Sequence, residues 1–138
     1  MTSNLGVPII LISNNRVLLG RRKNSYGEGL YGLPGGRVAL NESLEHCMAR
    51  ELSEEVGVTP IDYRLLGIVK EWQKSYFFLH FVYLCTKWSG QIATVEPEKS
   101  EDWNWFSLDN LPLNILQGHK SGIAMVSLPL NRFQLIEL

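Results

Sequence analysis

The chain opens on a run dense in branched apolar residues, GVPIILIS, and a second run, RVLLG, follows the polar break Ser13-Asn14-Asn15. Short apolar stretches bounded by turn residues predict two strands joined as a hairpin. From Arg21 to Gly36 the pattern dissolves into RRKNSYGEGLYGLPGG, which predicts a loop whose backbone another group can approach closely. Helical periodicity begins at Asn41, read as the N-cap, and runs to Val56, with Gly57 as the C-terminal cap. YRLLGIVKEW and SYFFLHFVYLCTKW, dense in aromatic and branched residues, predict two long strands. A polar loop, SGQIATVEPEKSED, leads to the short aromatic stretch WNWFSL, and HKSGIAMVSL reads as a second helix. Strands in the majority, with one strong helix inserted early, predict an α/β fold built on a mixed sheet.

Length and composition narrow this further. At 138 residues the chain is expected to form a single domain over residues 1–138. Its 45% hydrophobic and 20% charged residues fit a folded globule. Thirteen basic against fourteen acidic side chains give a net charge of -1, which supplies no global field for a nucleic-acid backbone or an anionic membrane. No apolar run approaches the roughly 18 residues of a membrane span. The start, MTSNLGVPII, lacks the basic-then-apolar order of a signal peptide, so a cytoplasmic location is expected. Cys47 and Cys85 have no metal-type spacing and are expected to be reduced core thiols.

The chemistry concentrates on the helix. At about 100° per residue, Glu51, Glu54 and Glu55 share one arc, while Leu44, Met48, Ala49, Leu52 and Val56 share the adjoining one. Like charges three and four positions apart repel unless something positive offsets them, and a hard divalent cation does so through carboxylate oxygens. A solvated acidic stripe explains the helix alone about as well. The glycine loop just before it favours a receptacle for a polyphosphate.

Residues 36–58, GRVALNESLEHCMARELSEEVGV, resemble the Nudix box, whose nine defined positions are filled by Gly36, Glu42, Arg50, Glu51, Leu52, Glu54, Glu55, Gly57 and Val58. VLLGRR, LPGG and WFSLDNLP extend the likeness over residues 5–115 or so. The resemblance implies an α/β/α sandwich and a hydrolase dependent on Mg²⁺, with Mn²⁺ as the alternative ion. It implies substrates built as a nucleoside diphosphate linked to another group. It also implies that Glu51, Glu54 and Glu55 bind the metal and that a main-chain carbonyl at Gly36 faces it. By the same likeness Glu42 supports the metal site or the helix start, and Arg50 orients the carboxylates.

The family often places the general base in the loop before the WF strand. Glu96, Glu98 and Glu101 are available there; register favours Glu98, then Glu101, and Glu54 of the box is a further choice. Arg21 and Arg22 are positioned to meet phosphates. Tyr31, Tyr76, Phe78, Trp103 and Trp105 are candidates for stacking on a base, although strand aromatics more often pack in a core. Asn114, in LPLN, resembles the asparagine with which MutT-type members read a purine edge; a turn-stabilising role is equally open. His80 reads as a satisfied core residue, His46 and His119 as surface positions.

The favoured substrate is a nucleoside triphosphate, damaged or oxidised forms included, cleaved to monophosphate and pyrophosphate. Dinucleoside polyphosphates stay open through Tyr76, and Lys74 stands where ADP-ribose enzymes tend to carry proline. A non-catalytic sensing module is disfavoured because no acid of the box is missing. The expected partner is thus a small nucleotide, with no nucleic acid or membrane, and the exposed edge of a small mixed sheet leaves a homodimer open.

Overall fold

A computed structural model describes residues 2–24, 27–73, 75–127 and 132–138. Lys74, weighed above against ADP-ribose, and Leu128, at the end of the second predicted helix, lie outside the described residues.

The predicted hairpin forms from β1 (Thr2–Ser13) and β2 (Arg16–Arg21), with Asn14 and Asn15 both at positive φ in the turn. Asparagine tolerates the left-handed region better than most residues, which suits it to this connection. Next come β3 (Tyr31–Gly32), β4 (Gly35–Ala39) and the helix α1 (Leu44–Val56). The two long predicted strands are β5 (Thr59–Gln73) and β6 (Tyr76–Ser89), followed by β7 (Asn104–Ser107), α2 (Gln117–Ala124), a 3-10 turn (Met125–Ser127) and β8 (Gln134–Glu137).

The sheet order is β3-β2-β1-β6-β5-β8, with β4 added to β1 and β7 to β2. It is mixed, as the sequence predicts: β1 runs parallel to β6 and β8 parallel to β5, while the other pairs are antiparallel. Alternation along β1 sends Val7, Ile9 and Leu11 into a core under α1, with Met48, Leu52 and Val56. Ile10 points to the opposite face, into a second core with Val69, Val82, Ile123 and Met125. These two cores make the α/β/α sandwich. Both cysteines are buried as free thiols, and burial pushes Cys47 up to about 12. Among the described residues no helix is long and apolar enough to cross a membrane.

The helix start differs from expectation. Ser43, not Asn41, is the N-cap: its Oγ accepts the His46 N–H at 3.0 Å. Asn41 lies in the preceding turn at φ 67, where the Glu42 carboxylate accepts the Ala39 N–H at 2.9 Å. Gly57 caps the far end at φ 75, as predicted. The second helix starts at Gln117, ahead of the predicted His119, and its end tightens into the 3-10 turn.

Candidate active site

The acids of α1 face the strand that precedes it. A Cβ on Gly36 would collide with the Glu51 carboxylate, and the Gly35 N–H donates to Glu55 Oε2 at 3.1 Å. Gly35 itself sits at φ 146, with β1 backbone where a Cβ would be. The glycine pair therefore lets β4 lie directly against the helix acids.

Arg50 gathers the remaining charges. Its Nε and one terminal nitrogen donate to the two oxygens of Glu42 at 2.6 and 2.9 Å, and the other terminal nitrogen donates to Glu51 at 2.9 Å and Glu54 at 3.3 Å. The fork is bidentate, a geometry that lysine cannot reproduce. Its hydrogen bond holds Glu42 at about 2, well below an ordinary glutamate. Burial acts the other way on Glu51, and it pushes Glu55 up to about 8, with the neighbouring Glu51 charge adding to the shift. Among the described residues no three His, Cys, Asp or Glu side chains converge tightly enough to enclose an ion as they stand, because Glu51 and Glu54 are drawn onto Arg50.

The loop before β7 is pinned to the end of α1: Ala93 N–H donates to the Val56 carbonyl at 3.0 Å and Val95 N–H to the Glu55 carbonyl at 3.1 Å. That attachment brings Glu96 within electrostatic reach of Glu55. Glu96 Oε1 is buried and, among the described residues, has no hydrogen-bond partner, while Oε2 lies 3.4 Å from Lys99. Glu98 is exposed, and Glu101 lies on the outer surface 3.9 Å from Arg21. Counting along the loop favours Glu98 and Glu101; the structure turns Glu96 inward instead, because the two backbone bonds to α1 fix which side chain faces the helix.

Beside the Gly35–Gly36 backbone a cavity of about 310 Å³ opens, within the range of small-ligand sites. Arg22, Arg37 and Tyr76 line it along with Phe78, as do Glu71, His80 and His119. His80 Nε2 and Glu71 Oε1 are 2.8 Å apart in a buried pair. His119 is no surface residue: the Leu33 N–H donates to its Nδ1 at 2.9 Å, and its ring stands edge-on to His80. Burial is the leading cause lowering both imidazoles, His119 the more strongly.

Other expected contacts fall elsewhere. Arg21 donates to the Gly29 carbonyl, and with Tyr31 it lines a separate polar hollow. Tyr31 packs edge-on against Phe106, Trp105 stacks on Trp88, and Trp103 covers Gly20. Asn114 donates to the Gly29 carbonyl, tying down the glycine loop rather than lining the cavity. His46 is exposed as expected. Sequence reasoning passed over Glu71, whose one signal was a charge inside an otherwise aromatic and branched strand.

A mixed sheet between two helices, with a glutamate-bearing helix laid on a glycine strand, defines a Nudix-type phosphohydrolase. The NUDIX domain family model matches residues 2–126, and the chain belongs to that family. The 8-oxo-dGTP diphosphatase of Buchnera aphidicola is 35% identical over 112 residues, covering 79% of this chain and 80% of that protein. The ADP-ribose pyrophosphatase of Methanocaldococcus jannaschii is 30% identical over 105 residues, 75% of this chain but only 61% of that protein. Among solved structures, the MutT NUDIX hydrolase of Burkholderia pseudomallei superposes with a TM-score of 0.85 at 31% identity, covering 89% of this chain and 97% of that one. The chain is accordingly a Nudix pyrophosphohydrolase, and members of this family generally use divalent metal ions.

Proposed function

We propose that this chain, acting as one domain in the cytoplasm, hydrolyses nucleoside triphosphates, oxidised ones included, to a nucleoside monophosphate and pyrophosphate with Mg²⁺. The observation that carries the reading is the junction of two features at one glycine strand: the box glutamates on one side of Gly35–Gly36 and the cavity on the other. A nucleotide laid across that strand puts its phosphates at the acids and its base in the cavity.

The donor set fits a hard divalent cation. Carboxylate oxygens are the ligands Mg²⁺ prefers, with waters left for phosphate. The buried, unpartnered Glu96 oxygen and the high proton affinity of Glu55 are both relieved by positive charge. Glu51, Glu54 and Glu55, with the Gly36 carbonyl, would hold the ion. Bound there, it supplies Lewis acidity to the phosphate oxygens and lowers the pKa of an attacking water.

The protein groups do the rest. Arg50 fixes the rotamers of Glu51 and Glu54, and Glu42 anchors Arg50 in turn. Arg22, on the cavity wall, neutralises phosphate charge. Glu96 accepts the proton of the water whose oxygen bonds to phosphorus, while the bridging oxygen departs with the leaving phosphate. The likeness to the Buchnera 8-oxo-dGTP diphosphatase supports a triphosphate substrate.

The deciding experiment incubates the purified protein and Mg²⁺ with nucleoside triphosphates, dinucleoside polyphosphates and ADP-ribose, and resolves the products by phosphate content. Monophosphate and pyrophosphate in equal amounts are expected from triphosphates. Release of inorganic phosphate, or turnover of ADP-ribose alone, overturns the reading.

A further inference from the structure

The cavity floor holds a pair that the hydrolytic chemistry does not use. Glu71 on β5 and His80 on β6 project from the same face of the sheet, since Glu71 pairs with Phe78 and Val69 with His80 across the two strands. Helix α2 crosses directly over them: a Cβ on Gly118 would lie 2.6 Å from His80 Nε2 and 2.7 Å from Glu71 Oε1. Buried polar pairs of this kind are costly where apolar residues would pack equally well. This one opens on the cavity.

The hydrogen-bonding pattern it presents follows from its partners. As a carboxylate Glu71 only accepts, so His80 Nε2 carries the shared proton, and the imidazole fixes the carboxylate's orientation. The Glu71 side chain makes this bond through Oε1. His119 is the mirror case. Its Nδ1 accepts from Leu33, which puts its proton on Nε2 and makes it a donor. Val7, Phe78 and Leu116 supply apolar walls.

Resting on the nucleotide hydrolase reading above, we propose that this floor selects a guanine ring: Glu71, held by His80, accepts its ring N1–H and 2-amino group, and His119 Nε2–H donates to its O6. Guanine is the common base that presents two adjacent donors beside an acceptor. Adenine and cytosine each set a ring acceptor next to their amino group, against the Glu71 oxygens. Uracil and thymine flank their single N–H with carbonyls that a carboxylate repels. Oxidation of guanine at C8 leaves the recognised edge intact, so the damaged base is accepted as well. His80 is a positioning residue here, not a contact.

Binding of monophosphates tests this without requiring turnover. Isothermal titration of the wild-type protein with GMP, IMP and AMP is expected to give GMP about 10- to 100-fold tighter than AMP, with IMP, which lacks the 2-amino group, in between. Glu71→Gln is expected to erase the advantage of GMP over AMP. His80→Gln, which keeps a donor for Glu71, retains the preference, and His80→Leu loses it. Equal affinity for GMP and AMP, or an unchanged ratio in Glu71→Gln, overturns the proposal. Should Glu71→Gln fail to fold by circular dichroism, the wild-type ratios still decide. A protein that prefers GMP yet cleaves no triphosphate sinks the hydrolase reading alone, whereas one that cleaves triphosphates but binds all three monophosphates equally sinks only the guanine assignment.

Discussion

Two polar constellations flank the Gly35–Gly36 strand, and they handle charge in opposite ways. On the α1 side Arg50 is 30% exposed and Glu54 46% exposed; the fork of Arg50 pairs with three acids, so one cation offsets only part of their charge. On the cavity side Glu71 and His80 are both over nine-tenths covered, and burial lowers both imidazoles below their ordinary value. The first arrangement suits a site that must accept a cation and phosphates. The second suits one that must tell one neutral ring from another, where an unpaired donor or acceptor is costly.

The largest effects are expected from the charged side. Glu54→Gln and Glu55→Gln should each lower kcat by about 10³-fold while leaving the circular dichroism spectrum unchanged, because the oxygens proposed to hold the metal lie off the packing face. Glu96→Gln should cost about 10²-fold, and Glu98→Gln and Glu101→Gln less than about twofold. Steady-state kinetics with Mg²⁺ reads all five. A loss in Glu98→Gln as deep as that in Glu96→Gln would reassign the base to the outer face of the loop.

Next comes stability. Arg50→Ala strands Glu42, whose side chain is only 6% exposed, without its cation. The expected cost is about 2–4 kcal/mol, below the full value for a buried pair because Arg50 reaches solvent. Arg50→Lys should recover only part of it, since an ammonium cannot span both Glu42 oxygens. Urea unfolding midpoints measure the difference, and equal midpoints for alanine and wild type would reduce the fork to a surface contact.

These two sides also differ in how far they could be read from the chain. Glu51, Glu54 and Glu55 share a helix face because 3.6-residue periodicity puts them there, so the α1 site is written in local spacing. Cap placement slipped by two residues because Asn41 and Ser43 are both good caps, and only the turn at Ala39–Glu42 decides between them. β3 and β4 are rich in glycine and carry no strand signal of their own; pairing with β2 and β1 makes them strands. The cavity floor is drawn from positions 71, 80 and 119, on three separate elements. No local pattern links them, and His119 reads as a surface residue until α2 is packed over the sheet. Glu96 illustrates the same limit at short range, because its direction depends on two backbone bonds to α1.

The smallest expected effect separates the two sides by pH. An unfolded histidine titrates near 6.5, and His80 and His119 are both lowered from that value, chiefly by burial. The unfolded chain therefore takes up protons that the folded chain refuses, and the stability these rings contribute is present above pH 6.5 and is lost as the pH falls below it. Glu42, held at about 2 against an ordinary 4.5, gives up its contribution only below 4.5. Between those values acid weakens the cavity floor and spares the Arg50 fork. Glu55 opposes this in the metal-free protein: raised from 4.5 to about 8, it stabilises at low pH and loses that contribution as the pH rises through 8. The readout is therefore a difference, the melting temperature of wild type minus that of His119→Asn, with EDTA present, from pH 7.5 to 5. Asparagine can still accept from Leu33 but does not titrate, and the Glu55 contribution cancels between the two proteins. The gap should narrow as the pH drops past 6.5; a constant gap would mean that His119 is no more protected from protons in the folded protein than in the unfolded chain.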